Sequence, residues 1–267
     1  MAGILNVQIK SVLNDKSVNF RKVEHFIKRN ADKGLDLVVL PEFFATNNDY
    51  LNLVESIDGG EAIEFVKGLA KKYNTNIIAG SVVREEDNKL YNTSFAINRS
   101  GEIIQKYNKI HLYNFFGGTE GERITAGNEI VVAEFDFARV GMAICFDIRF
   151  PLHFQKLVKE NVDIIAVPCA WLIPEDVYNN QECFEVAVDM WKSICKTRAY
   201  DNGVYLVISN QTKEAAQNMY GLGSSMIIAP NAQILADAKD KECGIYADID
   251  INVVKYMRQL FPVTRLD

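Results

Sequence analysis

Three side chains in this sequence stand where covalent catalysis needs them: Glu42, Lys109 and Cys145. Cys145 ends the apolar run Val140-Gly141-Met142-Ala143-Ile144 and precedes Asp147-Ile148-Arg149-Phe150-Pro151, where Pro151 suits the first turn of a helix. The thiolate is the nucleophilic form of cysteine, and a helix N-terminus favours it. Glu42 follows Leu37-Val38-Val39-Leu40-Pro41. A carboxylate there can act as base toward a thiol if burial raises its pKa. Lys109 lies in Lys106-Tyr107-Asn108-Lys109-Ile110-His111-Leu112. An ammonium aimed at a carbonyl oxygen stabilises a tetrahedral intermediate. Each also has an ordinary reading: a packed cysteine, a capping or Arg-paired glutamate, a solvated lysine. Asp147 and Arg149 read as holding the turn around Cys145. Trp171 reads equally as pocket wall or core filler.

These residues need elements to position them. Ile4 to Ile9 and Leu35 to Leu40 read as buried strands, separated by a helix through Val18, Val23, Phe26 and Ile27 that Gly34 can stop. A second helix carries Ala62, Phe65, Val66, Leu69 and Ala70. Ile77 to Val83, Leu90 to Asn98 and Glu102 to Tyr107 read as strands joined by polar turns. Residues 108 to 129 read as irregular. Ile130 to Phe135, Val140 to Ile144, Asp163 to Pro168, Val204 to Ser209, Met226 to Ala229 and Gly244 to Ile249 follow as strands, with a helix near 184 to 201. Strands and helices alternate at both ends of the chain, with hairpins between. That predicts one domain over 1–267 with a layered α/β (α+β) fold of two sheets. Ligands in such sheets collect at the carboxyl ends of strands, where Glu42 and Cys145 lie.

Composition narrows the class. The 267 residues are 48% hydrophobic and 24% charged with net charge −6, which fits a globular chain and argues against nucleic acid or anionic membrane as partner. No signal peptide or membrane helix is expected, so a cytoplasmic location follows. The five cysteines, Cys145, Cys169, Cys183, Cys195 and Cys243, form no C-x-x-C and suit a reducing compartment. His25, His111 and His153 are not spaced as a metal cluster, and the sequons at Asn92, Asn98 and Asn210 read as chance matches. Gly221-Leu222-Gly223-Ser224-Ser225 is not a serine nucleophile elbow, and neither a P-loop nor a dinucleotide fingerprint occurs.

Three segments in order, Leu37 to Phe44, Tyr107 to Leu112 and Gly141 to Pro151, resemble the Glu, Lys and Cys motifs of the nitrilase (carbon–nitrogen hydrolase) superfamily. Val7-Gln8, Arg198 to Asn202, Ser209-Asn210-Gln211, Gly223 to Met226 with Pro230, and the tail from Asp248 to Arg265 extend the likeness over almost the whole chain. The resemblance implies a four-layer α-β-β-α sandwich, a homodimer or larger homo-oligomer, no metal or organic cofactor, and a Glu42–Lys109–Cys145 triad. It implies a second glutamate: Glu120, seven residues before Gly127, with Glu122 as the fallback. It implies attack by Cys145 on a small linear amide, an oxyanion held by Lys109 and the backbone N–H of Phe146, and a thioester that water releases. An omega-amide is the leading substrate class. An N-carbamoyl amide, a nitrile, a catalytically silent binding module and a redox-sensing thiol are the alternatives; an adjacent resolving cysteine would favour the last, and Cys169 follows 24 residues on, after a strand. The chain departs from the pattern at Phe146 and Asp201, where Tyr and Glu are usual, and in a longer stretch between Trp171 and Trp191.

Overall fold

Seven consecutive residues of the first strand are buried, so both of its faces must be covered. The computed structural model describes residues 1–13, 15–47, 54–115, 118–216 and 218–262, leaving Val263 to Arg265 of the expected tail likeness outside the described residues. In the first half, β1 (Ala2–Gln8), α1 (Lys16–Lys28), β2 (Leu37–Val39), α2 (Gly60–Tyr73), β3 (Asn76–Ile78), β4 (Val82–Glu86), β5 (Lys89–Ile97) and β6 (Ile103–Asn108) succeed one another. Asp15 caps α1 by accepting from the Val18 N–H at 3.0 Å. Gly34 does not stop α1, which ends at Lys28; it closes a following short turn in the left-handed region at φ 73°.

In the second half, β7 (Val131–Glu134), β8 (Arg139–Met142), α3 (Pro151–Lys159), β9 (Ile164–Pro168), β10 (Leu172–Pro174), α4 (Glu175–Asn179), α5 (Gln181–Asn202), β11 (Tyr205–Ser209), β12 (Thr212–Ala216), β13 (Met219–Leu222), β14 (Met226–Ile228), β15 (Ile234–Asp237), β16 (Cys243–Ile249) and α6 (Asn252–Leu260) follow. One sheet runs β16-β1-β2-β3-β5-β4 with β6 also on β5, and another runs β15-β14-β11-β9-β8-β7. A small third sheet, β10-β13-β12, departs from the two-sheet expectation. Its strands are short, so alternation does not reveal them; β10, with α4 and the start of α5, makes up the long stretch between Trp171 and Trp191.

Alternation along β1 builds the layers. Leu5 and Val7, with Val38 of β2, pack against Val23 and Ile27 of α1 and Ala62, Ile63 and Val66 of α2. Ala2 and Ile4, with Leu37 and Val39, face the second sheet, which α3 and α5 cover with Phe154, Leu157, Trp191, Cys195 and Ala199. The order is therefore helices, sheet, sheet, helices. The inner seam between the sheets is partly polar, and its side-chain donors are paired, although the buried Asn6 Oδ1 has no hydrogen-bond partner. Asn6 donates to the carbonyls of Ile208 at 2.6 Å and Met226 at 3.1 Å, and Ser209 Oγ donates to Val7 O at 2.5 Å. Buried amides in such positions cost stability unless satisfied, so they fix the register of sheet on sheet.

The expected strand Ile77 to Val83 is two strands, β3 and β4, broken at Gly80. Gly80 has φ +56°, and a Cβ there would lie 2.1 Å from Pro41 O. This contact sets the chain leaving β2 just before Glu42. Gly80→Ala is expected to lower stability by about 1 to 3 kcal/mol. A urea midpoint equal to wild type would show that the hinge does not constrain Pro41.

Candidate active site

Glu42, Lys109 and Glu120 come from three separated segments and meet in the interior, at 1%, 2% and 7% exposure. The Lys109 Nζ donates to Glu42 Oε1 at 3.0 Å and to Glu120 Oε2 at 2.9 Å. Asn92, on β5, bridges the same carboxylates: its Nδ2 donates to Glu42 Oε1 at 2.9 Å and Glu120 Oε1 at 3.0 Å. The Ala170 N–H donates to Glu42 Oε2 at 2.8 Å and the Tyr113 N–H to Glu120 Oε2 at 2.8 Å. Burial alone lowers the Lys109 pKa, but Glu120, Glu42 and Cys145 outweigh it and hold the ammonium well above the usual lysine range. Lys109 is therefore a fixed cation at any ordinary pH. Glu120 rather than Glu122 stands at the site; Glu122 is exposed.

Local structure explains how each side chain arrives. Phe43, after Glu42, adopts φ 53°, and the Gln211 Nε2 donates to the Glu42 carbonyl at 2.7 Å. The Lys109 N–H donates to Asn92 O at 2.9 Å and the Gly127 N–H to Lys109 O at 2.8 Å. A Cβ on Gly127 would meet Asn108 O at 2.2 Å, so the loop carrying Glu120 closes onto the lysine segment only with glycine there.

Cys145 begins a 3-10 turn, Cys145–Arg149, and its own φ is 45°, an uncommon conformation for a side-chain-bearing residue. Asp147 holds this turn. Its Oδ2 accepts from the Ile144 N–H at 2.8 Å and the Tyr107 hydroxyl at 2.7 Å, and its Oδ1 accepts from the His111 N–H at 3.0 Å. Burial pushes the Asp147 pKa up, but hydrogen bonds from His111, Tyr107 and Ile144 together with the nearby His153 hold it below the ordinary carboxylate value. Arg198 Nε adds a bond to Ile148 O at 2.8 Å. The Cys145 thiol is held well above its ordinary pKa by a hydrogen bond to Cys169, by burial and by Glu42, against the pull of Lys109. These influences oppose the pull of the helix start toward the thiolate.

Phe146 follows Cys145 in the 3-10 turn, and Trp171 follows Ala170, whose N–H binds Glu42. Phe146 meets Tyr113 edge-on at 5.3 Å between ring centroids and Phe115 at 5.8 Å. The Arg149 guanidinium lies over the half-buried Trp171 ring, 5.3 Å from its centroid. Trp171 also packs on Trp191 at 4.8 Å, so it fills core.

The histidines depart from the sequence reading. His111, Asp147 and His153 place ligand atoms within 4.8 Å of one another, close enough for one cation among the described residues. Burial holds the His153 pKa below its usual value, so the ring is neutral, and its Nε2 has no hydrogen-bond partner. The Asp147 oxygens are already engaged by His111, Tyr107 and Ile144, which makes the cluster a brace between the lysine loop and the cysteine turn. Asn92 and the backbone donors of Ala170 and Tyr113 were missed in the sequence. Only the adjacency of Asn92 to the lysine hairpin offered a signal.

With this geometry in hand, known proteins give it a context. The profile of the carbon-nitrogen hydrolase family matches residues 6–259. The chain is 32% identical over 249 residues to the 2-oxoglutaramate amidase of Bacillus subtilis, covering 92% of this chain and 90% of that protein. It is 30% identical over 261 residues to a hydrolase in the agr operon of Staphylococcus aureus, covering 96% and 94%. The crystal structure of Nit3 from Saccharomyces cerevisiae, of branch 10 of the nitrilase superfamily, superposes with TM-score 0.84 at 25% identity over 99% of this chain and 96% of that one. The four layers, the interior meeting of the three motif segments and the match along nearly all of its length agree: this chain belongs to the carbon-nitrogen hydrolase family.

Proposed function

We propose that this protein is an amidase that releases ammonia from a small linear amide, with Cys145 as nucleophile, Glu42 as general base and Lys109 as oxyanion donor. The observation that carries the reading is the buried Lys109 ammonium shared by Glu42 and Glu120 beside Cys145, whose thiol pKa is raised. A thiol with a raised pKa needs a base at the moment of attack. Glu42 Oε1 carries the bonds from Lys109 and Asn92, whereas Oε2 carries that from Ala170, which leaves Oε2 the roomier acceptor for the thiol proton. The thiolate attacks the amide carbon. Lys109 and the Phe146 N–H stabilise the oxyanion. Ammonia departs with the proton from Glu42, and water deprotonated by Glu42 hydrolyses the thioester. Glu120 and Asn92 position Lys109 and Glu42.

The substrate we favour is an omega-amide whose far end is a carboxylate. Arg149, exposed over Trp171, is the cation placed to receive it. The amidase relative from Bacillus subtilis is consistent with that class. We further place the protein in the cytoplasm, where its five free thiols stay reduced. No helix of the described residues is long and apolar enough to cross a membrane. Exposed Val186, Met190 and Tyr200 on α5, with Tyr256 and Leu260 on α6, suit burial against a second copy of the chain.

Ammonia release from a panel of omega-amides, simple amides, N-carbamoyl compounds and nitriles tests the reading. Cys145→Ala is expected to reduce turnover at least about 1000-fold, and Lys109→Met by about 100- to 1000-fold. Retained activity in Cys145→Ala would sink the mechanism. Carbon dioxide released with the ammonia would identify a carbamoyl hydrolase instead. Glu42→Gln is expected to abolish the thioester burst; a normal burst would remove Glu42 as base.

Asn92→Ala is expected to lower kcat by about 100-fold through displacement of the two carboxylates. An unchanged kcat would reduce the bridge to packing. Arg149→Ala is expected to raise KM for an omega-amide carboxylate by about 10- to 100-fold. A neutral amide of equal length should respond far less; equal losses on both would remove Arg149 from carboxylate recognition.

A further inference from the structure

Strands β8 and β9 run parallel, with Val140 beside Ile164, Gly141 beside Ile165 and Met142 beside Ala166. The Ala143 N–H continues the ladder to Ala166 O at 3.1 Å. Counting three residues on from Met142 and from Ala166 reaches Cys145 and Cys169. The two cysteines thus leave adjacent strands at matched positions. Neighbouring strands lie about 4.8 Å apart, and disulfides span about 4.4 to 6.8 Å between α-carbons. The sulfurs are already in contact: the Cys145 thiol donates to Cys169, whose own thiol donates to Val167 O at 3.4 Å. Cys145 is 8% exposed, at the end where substrate must enter, while Cys169 is fully buried behind it. A second thiol in line behind the first has no task in amide hydrolysis.

We propose that Cys145 and Cys169 form a reversible disulfide when hydrogen peroxide enters the site. Glu42 takes the Cys145 proton, and the thiolate attacks one peroxide oxygen. The S–O bond forms, the O–O bond breaks, and the departing hydroxide takes the proton from Glu42 to become water. Cys169 sulfur then attacks the Cys145 sulfenic sulfur. The S–S bond forms, the S–O bond breaks, and the hydroxide leaves as water with the Cys169 proton. Two thiols are oxidised and one peroxide is reduced to two waters. Cys169 traps the sulfenic acid before a second peroxide carries it to the irreversible sulfinic acid.

The test is hydrogen peroxide titration of the purified enzyme, read by intact mass and peptide mapping under non-reducing conditions. The expected product has lost two hydrogens, links the peptides containing Cys145 and Cys169, and returns to its starting mass and activity with dithiothreitol. Cys169→Ala and, as a second variant, Cys169→Ser are expected to gain two or three oxygens on Cys145 and to lose dithiothreitol recovery. A Cys169–Cys195 link, oxygen addition at Cys145 in the wild type without a linked peptide, or full recovery in both variants would overturn the proposal. The mass readout needs no substrate, so its failure is distinct from a failure of the amidase reading.

Discussion

Burying a lysine between two glutamates is the constraint on which this architecture rests. Each ion taken from water loses several kcal/mol of solvation, and mutual attraction offsets that only when the remaining lone pairs are also filled. Here they are filled from distant parts of the chain. Asn92 comes from the first sheet, the Ala170 N–H from the segment beyond β9 of the second, and the Tyr113 N–H from the loop that carries Glu120. The charged trio therefore forms only once both sheets and the 108–129 segment have docked. Loss of any one partner leaves a buried charge unpaired, which costs far more than the absent bond.

The polar seam between the sheets leads into that trio. Gln8 accepts from the Ser225 N–H at 2.8 Å and from its hydroxyl at 2.7 Å, and the Ser225 Oγ accepts from the Asn210 N–H at 2.7 Å. Asn210 Oδ1 receives the N–H of Trp171 at 2.8 Å and that of Gln211 at 2.9 Å, and Gln211 in turn binds the Glu42 carbonyl. A side-chain relay thus runs from β1 to the base. On the other flank Asp147 couples the lysine loop to the cysteine turn through Tyr107 and His111. The base is thus held by one brace, and the lysine loop and the cysteine turn share the other.

Much of this was legible before any coordinates. Glu42, Lys109 and Cys145 carry recognisable side chains at strand ends, and the apolar runs around them mark β1, β2, β8, β9 and β11. The family resemblance implied a second glutamate, and within it the distance from Gly127 pointed to Glu120. Other parts were illegible for definite reasons. Backbone N–H groups of Ala170 and Tyr113 have no side-chain signature. Asn92 lies inside β5, where an alternating strand and a sequon both suggested something ordinary. His111 and Asp147 are 36 residues apart, so only the fold brings them together. The break at Gly80 and the small sheet β10-β13-β12 depend on close backbone approaches that hydrophobic periodicity does not encode. At Cys145 the sequence showed the helix start that favours a thiolate, but not the contact with Cys169, the burial and the nearby Glu42 that raise the thiol pKa.

Asn92 has one more consequence. Asn92-Thr93-Ser94 and Asn210-Gln211-Thr212 have the form of glycan acceptors, yet both asparagines are wholly buried, one bridging the carboxylates and the other in the relay to the base. Oligosaccharide transfer acts on the extended chain before it folds. A sugar attached at either place could never be enclosed by the sandwich, and the amide nitrogen it occupied would be lost to Glu42 and Glu120 or to Gly223. The atoms that assemble the site are thus the ones a glycan would occupy, and the folded site and a sugar at either asparagine exclude each other.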